Sequence, residues 1–279
     1  MTTMELDGLV RSIGIPPQPA LLAQLQAEMA RPEPDLRRIA SLVSADVAMT
    51  ASVIRVVNSP AYASSRRIET VDQAVSLLGM RQVAALVTGL VVRNVLRADG
   101  PQLTRFWDAS SKRAYAMSRL ARGMQGVEVG VAQTFGLMCD VGIPLLMQRF
   151  PDYGRTLKAC NEDPTRPFTD VEREIHGTDH AFIGGLMART WGLSDVVVMA
   201  IRRHHDYSIF QEADAPPVVI RIVAMGLVAE AAIQRFAGMN QSHEWAKGGD
   251  LAMGALVLSD SGLDDWMDEL NDSFASGIA

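Results

Sequence analysis

A chain of 279 residues with 48% hydrophobic, 21% charged and 6% aromatic residues can bury a substantial core without disulfides or metals. Its formal net charge of −6 argues against a broad electrostatic grip on nucleic acid or on an anionic membrane surface. Two cysteines, Cys139 and Cys160, are too few for a disulfide framework and fit a reducing compartment.

The first ten residues carry Glu5 and Asp7 where a secretory signal needs a basic start and an apolar run, so the expected location is the cytoplasm. The most apolar stretch, Val83 to Val92, is bracketed by Arg81 and Arg93. It is far shorter than the roughly 20 residues of a membrane span and reads as a buried core helix. The adjacent pairs Arg66-Arg67 and Arg202-Arg203 read as solvated helix edges.

After a leader, Pro16, Pro17 and Pro19 make an extended approach to a helix with Leu21, Leu22, Leu25 and Met29 on one stripe. Asp35 is placed to cap a second helix, with Leu36, Ile39, Ala40 and Val43 at helical spacing. A third runs from about Asp46 to Val57 and stops at Asn58-Ser-Pro. Val71, Ala74, Val75 and Leu78 mark a fourth, ended by Gly79 before a more buried segment from Met80. Pro101 opens a long helix carrying Phe106, Ser110, Ala114, Met117 and Ala121 on one side, with a loop expected from Gly123 to Gly130.

From Val131 to Phe150 the chain is almost continuously apolar, so a central buried helix is expected that kinks or restarts near Gly142. Thr169-Asp-Val-Glu has the form of a capping box opening a short helix to Gly177. Phe182, Ile183, Leu186 and Met187 mark the next helix. Ser194 caps another, to about His205, and Ala215-Pro-Pro introduces an apolar one, Val218 to Ala232. Phe236 to Gly249 reads as a polar, Gly-rich loop, and a last helix is expected from about Asp264 to Phe274. No alternating strand run bounded by hairpin turns occurs, nor a repeat of fixed period. The expected fold class is therefore all-α, in packed helical bundles.

The polar residues inside apolar helices carry the chemical signal: Asp140, His180, His204 and His205. Imidazoles and a carboxylate converging from different helices form a metal site that a bundle core can supply. The same groups also serve as a hydrogen-bonded polar cluster, and His176 and His243 read as ordinary surface or hydrogen-bonded histidines.

Several strings together resemble the HD-related output domain (HDOD) family. They are Ile15-Pro-Pro-Gln-Pro, Val57-Asn-Ser-Pro-Ala-Tyr, Ala74-Val-Ser-Leu-Leu-Gly-Met, Phe106-Trp-Asp-Ala-Ser, Leu137-Met-Cys-Asp-Val-Gly, Asp179-His-Ala-Phe-Ile-Gly, Trp191-Gly-Leu and Ala200-Ile-Arg-Arg-His-His, in order over about Ile15 to Tyr207. The resemblance implies a helical fold related to the HD metal phosphohydrolases. It divides the chain into a leader (1–14), an HDOD domain (15–209) made of an amino-terminal bundle (15–97) and an HD-like bundle (101–209), and a helical extension (210–279) packed on the latter.

Catalytic relatives hold metals with a helix histidine, a His-Asp doublet, further histidines and a late aspartate. By the resemblance these positions fall here on Ala109, on Cys139-Asp140 and near Met225, leaving Asp140, His180, His204 and His205 as a vestigial set. No catalytic residue and no cofactor is expected. The expected function is a non-catalytic signalling module working through protein partners, without nucleic acid or membrane. The alternatives are a residual metal-dependent phosphohydrolase or a nucleotide sensor.

Overall fold

The computed structural model describes residues 13–59, 67–96, 101–239 and 243–276, and among these every regular element is helical. The leader up to residue 12, and Arg66, lie outside the described residues. In chain order the helices are α1 (Ala20–Met29), α2 (Leu36–Ser44), α3 (Val47–Val57), α4 (Val71–Leu78), α5 (Met80–Leu96), α6 (Pro101–Arg122), α7 (Val129–Met138), α8 (Gly142–Arg149), α9 (Tyr153–Glu162), α10 (Phe168–His176), α11 (His180–Thr190) and α12 (Asp195–Arg203). A short 3-10 turn (Tyr207–Gln211) precedes α13 (Pro217–Phe236), α14 (His243–Leu256) and α15 (Asp260–Ala275).

Local chemistry explains most boundaries. Asp35, Asp46, Thr70, Asp179, Ser194 and Ser259 each accept a hydrogen bond from a first-turn backbone N–H, the donors that a helix start otherwise leaves unpaired. Gly79 and Gly177 end their helices at φ +82° and +70°, where a side chain would be strained.

One reading of the sequence is resolved and two are corrected. The central apolar run is two helices, α7 and α8, separated by Cys139, Asp140 and Val141, so the chain restarts at Gly142 rather than kinking there. Gly142 starts α8 because a Cβ there would lie 2.1 Å from the His180 carbonyl oxygen, so only glycine lets α8 meet α11 so closely. Thr169-Asp-Val-Glu is not a capping box: α10 begins at Phe168 after Pro167 with no side-chain cap, and both Thr169 and Glu172 are buried. Finally, the expected loop from Phe236 to Gly249 contains the start of α14. Gly248 and Gly249, which read as breakers, are helical because the rings of Tyr207 and Trp245 take the space their side chains would fill.

The main hydrophobic core runs from Ile15 through Phe274, and a small second cluster of Cys160, Phe168 and Val171 packs α10 on α9. Helices α7 and α8 together (Val129–Arg149) and α13 alone are long and apolar enough, by composition, to cross a membrane. Here 61% of each apolar window is buried inside the bundle. Both outdo the stretch Val83 to Val92 that the sequence singles out. Of the arginine pair expected at a solvated edge, Arg202 lies over the Phe182 ring at 5.0 Å, and Arg203 is ion-paired with Asp206 and Glu212.

The segment leading into α1 is fastened to the end of α11 through Trp191. The fully buried Trp191 donates its Nε1–H to the Pro16 carbonyl at 2.9 Å. Its own carbonyl accepts from Gln18 Nε2 at 2.7 Å and Gln26 Nε2 at 2.9 Å. Two motifs some 170 residues apart, the proline-rich string and Trp191-Gly-Leu, are thus two sides of a single joint.

Candidate functional site

The four residues singled out by the sequence do converge. Asp140 projects from the break between α7 and α8, His180 from the first position of α11, and His204 and His205 from the end of α12. One donor atom from each lies within 4.8 Å of all the others. Asp140 Oδ1 is 3.2 Å from His204 Nε2 and 3.5 Å from His180 Nε2, and the two Nε2 atoms are 3.2 Å apart. They open on a cavity of about 240 Å³ whose other walls include Ala109, Arg113, Phe168, Gly226 and Glu230.

Each imidazole is held from behind. His180 Nδ1 donates to Glu172 Oε2 at 2.7 Å, and the other oxygen of Glu172 accepts from the Tyr153 hydroxyl. His204 Nδ1 meets the Ile201 carbonyl at 2.7 Å. His205 Nδ1 donates to Glu244 Oε2 at 2.7 Å, while the Tyr207 hydroxyl and Lys247 complete the shell of Glu244 and Phe168 stacks on the His205 ring at 4.8 Å. With Nδ1 committed to acceptors, the Nε2 atoms face inward. That arrangement orients metal-binding histidines, and it equally sets up a shared proton.

The charges of the cluster follow from its surroundings. Burial alone would lift the Asp140 carboxyl, yet the Arg113 guanidinium and the hydrogen bond from His180 hold it well below the usual range. Burial likewise opposes charge on His180, but Glu172 and Asp140 together push it up to about 10. His204 is moved down to about 4, first by burial and then by the neighbouring His205. The cluster is therefore balanced as His180 imidazolium beside neutral His204. The raised His180 value stabilises the fold fully below about pH 6.5 and loses that contribution as pH rises toward 10. The lowered His204 value contributes above about pH 6.5 and is lost as pH falls toward 4. The denaturant midpoint should accordingly fall on both sides of near-neutral pH. His180→Gln should flatten the alkaline arm and His204→Gln the acid arm; unchanged arms in both variants would contradict this charge assignment.

Arg113 is the residue that sequence reasoning missed. It lies one turn after Ala109 on α6 and is buried, with Nη2 2.8 Å from Asp140 Oδ2 and 2.7 Å from Glu230 Oε2, and Nη1 3.2 Å from Cys139 Sγ. Glu172, Glu230 and Glu244 were missed as well. The signal for Glu230 was present as a lone acid in the apolar run of α13. On that helix the cavity-facing positions include Val223, Gly226, Leu227 and Glu230; Met225, where the late aspartate was expected, is buried elsewhere.

The donors can be tested against a metal by size. Zinc-type bonds of about 2.0–2.1 Å imply ligand-to-ligand edges of roughly 3.3 Å, close to the separations among Asp140, His180 and His204. Three imidazoles and one carboxylate would hold a single borderline ion. They do not fit a two-metal centre, because Ala109 and Cys139 supply no imidazole and Arg113 occupies the second oxygen of Asp140.

Comparison with known proteins decides the family. The HDOD domain model matches residues 15–207. The chain belongs to the HDOD family. Solved structures share the fold: an HDOD domain protein of unknown function from Geobacter sulfurreducens superposes with a TM-score of 0.69 at 22% identity, covering 93% of this chain and 90% of that one. A candidate phosphohydrolase from Shewanella amazonensis SB2B gives 0.72 at 21% identity, covering 97% and 95%. A candidate signal transduction protein from Marinobacter aquaeolei VT8 gives 0.73 at 23% identity, covering 96% of this chain and 59% of its own. An uncharacterised protein of Treponema pallidum (strain Nichols) is 25% identical over 194 residues, 69% of this chain but 38% of that protein. The chain thus spans 59% and 38% of the length of these last two relatives. The HDOD match ends at residue 207, so Glu230 and Glu244, which complete the cluster, come from beyond it.

Proposed function

We propose that this HDOD protein is a non-catalytic regulatory module, acting in a bacterial-type signalling circuit by binding other proteins, on a degenerate phosphohydrolase scaffold. The observation that carries the reading is Arg113, whose guanidinium bridges Asp140 and Glu230 inside the cavity. Metal-dependent hydrolysis needs a cation with an open coordination position to activate water. Here a fixed internal cation takes the charge-compensating role and cannot generate hydroxide. A single ion bound by Asp140 and the three histidines would have four protein ligands, the closed shell of a structural rather than a catalytic site.

The four converging donors also favour a second reading, a residual metal-dependent phosphohydrolase. A nucleotide sensor finds less support, since the cavity of about 240 Å³ lies below the range of roughly 300–1,000 Å³ usual for small-molecule sites. Assay of cyclic dinucleotides and generic phosphodiesters with Mg²⁺, Mn²⁺ or Zn²⁺ separates the readings. No turnover above the blank is expected; metal-dependent hydrolysis abolished by Asp140→Ala would establish the phosphohydrolase instead.

A further inference from the structure

A second cavity, of about 560 Å³, lies away from the histidine cluster, between α5 and α6. These two helices each pack extensively on α7 yet scarcely touch one another. They therefore form the walls of a trough with α7 as its floor, the arrangement left when one helix is taken out of a four-helix packing. Leu137 of α7 lies flat on the floor because Gly89 of α5 has no side chain: a Cβ there would sit 2.4 Å from Leu137 Cδ2. Leu86, Leu90 and Trp107 supply the apolar walls. On α6 the lining runs from Thr104 to Arg122, five turns or about 27 Å. That length suits a helix better than a compact metabolite.

The rim has a definite charge. Arg55, Arg93 and Arg122 all line the trough and are exposed, and none makes an ion pair among the described residues. The carboxylate lining it, Asp108, is already paired with Lys112. In a chain of net charge −6 this is a local positive field around an apolar floor. The fold also shows what such a surface accepts. Packed mainly on α13 and touching the neighbouring face of α6 lies α15, an acidic amphipathic helix without a basic residue, whose Met267, Leu270 and Phe274 are buried. Its Glu269 pairs with Arg119, and its Ser273 accepts from the Tyr115 hydroxyl at 3.1 Å. Tyr115 lines the trough as well.

From these observations we infer that the trough between α5 and α6 is the docking site for an acidic amphipathic helix of a partner protein, seated apolar face down with its carboxylates on the arginine rim. The inference rests on the interaction-module reading above and gives that reading a surface and a partner chemistry.

The test is selection of displayed 18-residue amphipathic helices with acidic, neutral or basic polar faces on the full chain, followed by anisotropy titration of the enriched peptides. Acidic sequences should be enriched. Their affinity should fall tenfold or more in Arg93→Glu/Arg122→Glu and in Ser111→Trp, which fills the trough from its exposed wall. It should stay within twofold in Arg37→Glu/Arg38→Glu, which makes the same charge change on α2. Enrichment of basic or neutral helices would overturn the inference, as would affinity indifferent to both trough variants. So would an anionic small molecule held in the trough in native mass spectra, or a dimer of this chain lost in Arg93→Glu/Arg122→Glu. Acidic peptides bound elsewhere would sink the trough but leave an interaction module. Metal-dependent hydrolysis would sink that module reading while leaving the trough result standing.

Discussion

Asp140→Ala is expected to lower the unfolding free energy of metal-free protein by about 3 kcal/mol, the lower end of what removing one partner of a buried ion pair costs. The deleted carboxylate holds the Arg113 guanidinium at 2.8 Å and lies beside the Nε2 atoms of His180 and His204. Alanine leaves a buried cation, and Glu230 retains part of its compensation, which is why the loss is not larger. Because most of the penalty comes from the stranded charge, the double variant Asp140→Ala/Arg113→Met should recover a good part of it. Chemical denaturation of the two single variants and the double variant measures this directly. An Asp140→Ala loss below about 0.5 kcal/mol would mean that the pair carries no structural weight.

Trp191→Ala should cost about 3–5 kcal/mol, the range for deleting a large buried aromatic side chain. Trp191 is fully buried, and its indole N–H and carbonyl together receive the segment from Pro16 to Gln26. The variant should therefore also loosen the amino-terminal helices. Hydrogen exchange ought to show faster exchange across α1 and α2, while the histidine cluster remains protected. Equal protection in both regions, with a small stability loss, would show that the joint lies elsewhere.

The helical class and most boundaries were legible because they depend on local chemistry: Asp35, Asp46 and Ser194 cap helices wherever they are placed. The four polar residues of the cluster stood out against apolar neighbours for the same reason. What was not legible depends on distant partners. Arg113 reads as one more charge on an amphipathic helix until α7 and α13 bring Asp140 and Glu230 to it. Glu172 fits a capping box by spacing, yet tertiary packing buries it against His180 and Tyr153. Gly248 and Gly249 look like breakers in the sequence, while in the fold they make room for aromatic rings inside α14. Local rules place the helices; the identity of the internal cation is a tertiary fact.

The central claim is that this cluster is completed from within by a proton and by Arg113. It is tested most directly by adding millimolar Mg²⁺ or Mn²⁺ to chelator-stripped protein and following the melting temperature. A ligand at a hundredfold excess over its dissociation constant stabilises the folded state by about 2.7 kcal/mol. For a domain of this size each kcal/mol moves the midpoint by roughly 2–4 °C. The account predicts a midpoint that is nearly unchanged. A rise of several degrees that disappears in His204→Ala or His205→Ala would contradict it and place a bound metal ion among the four donors.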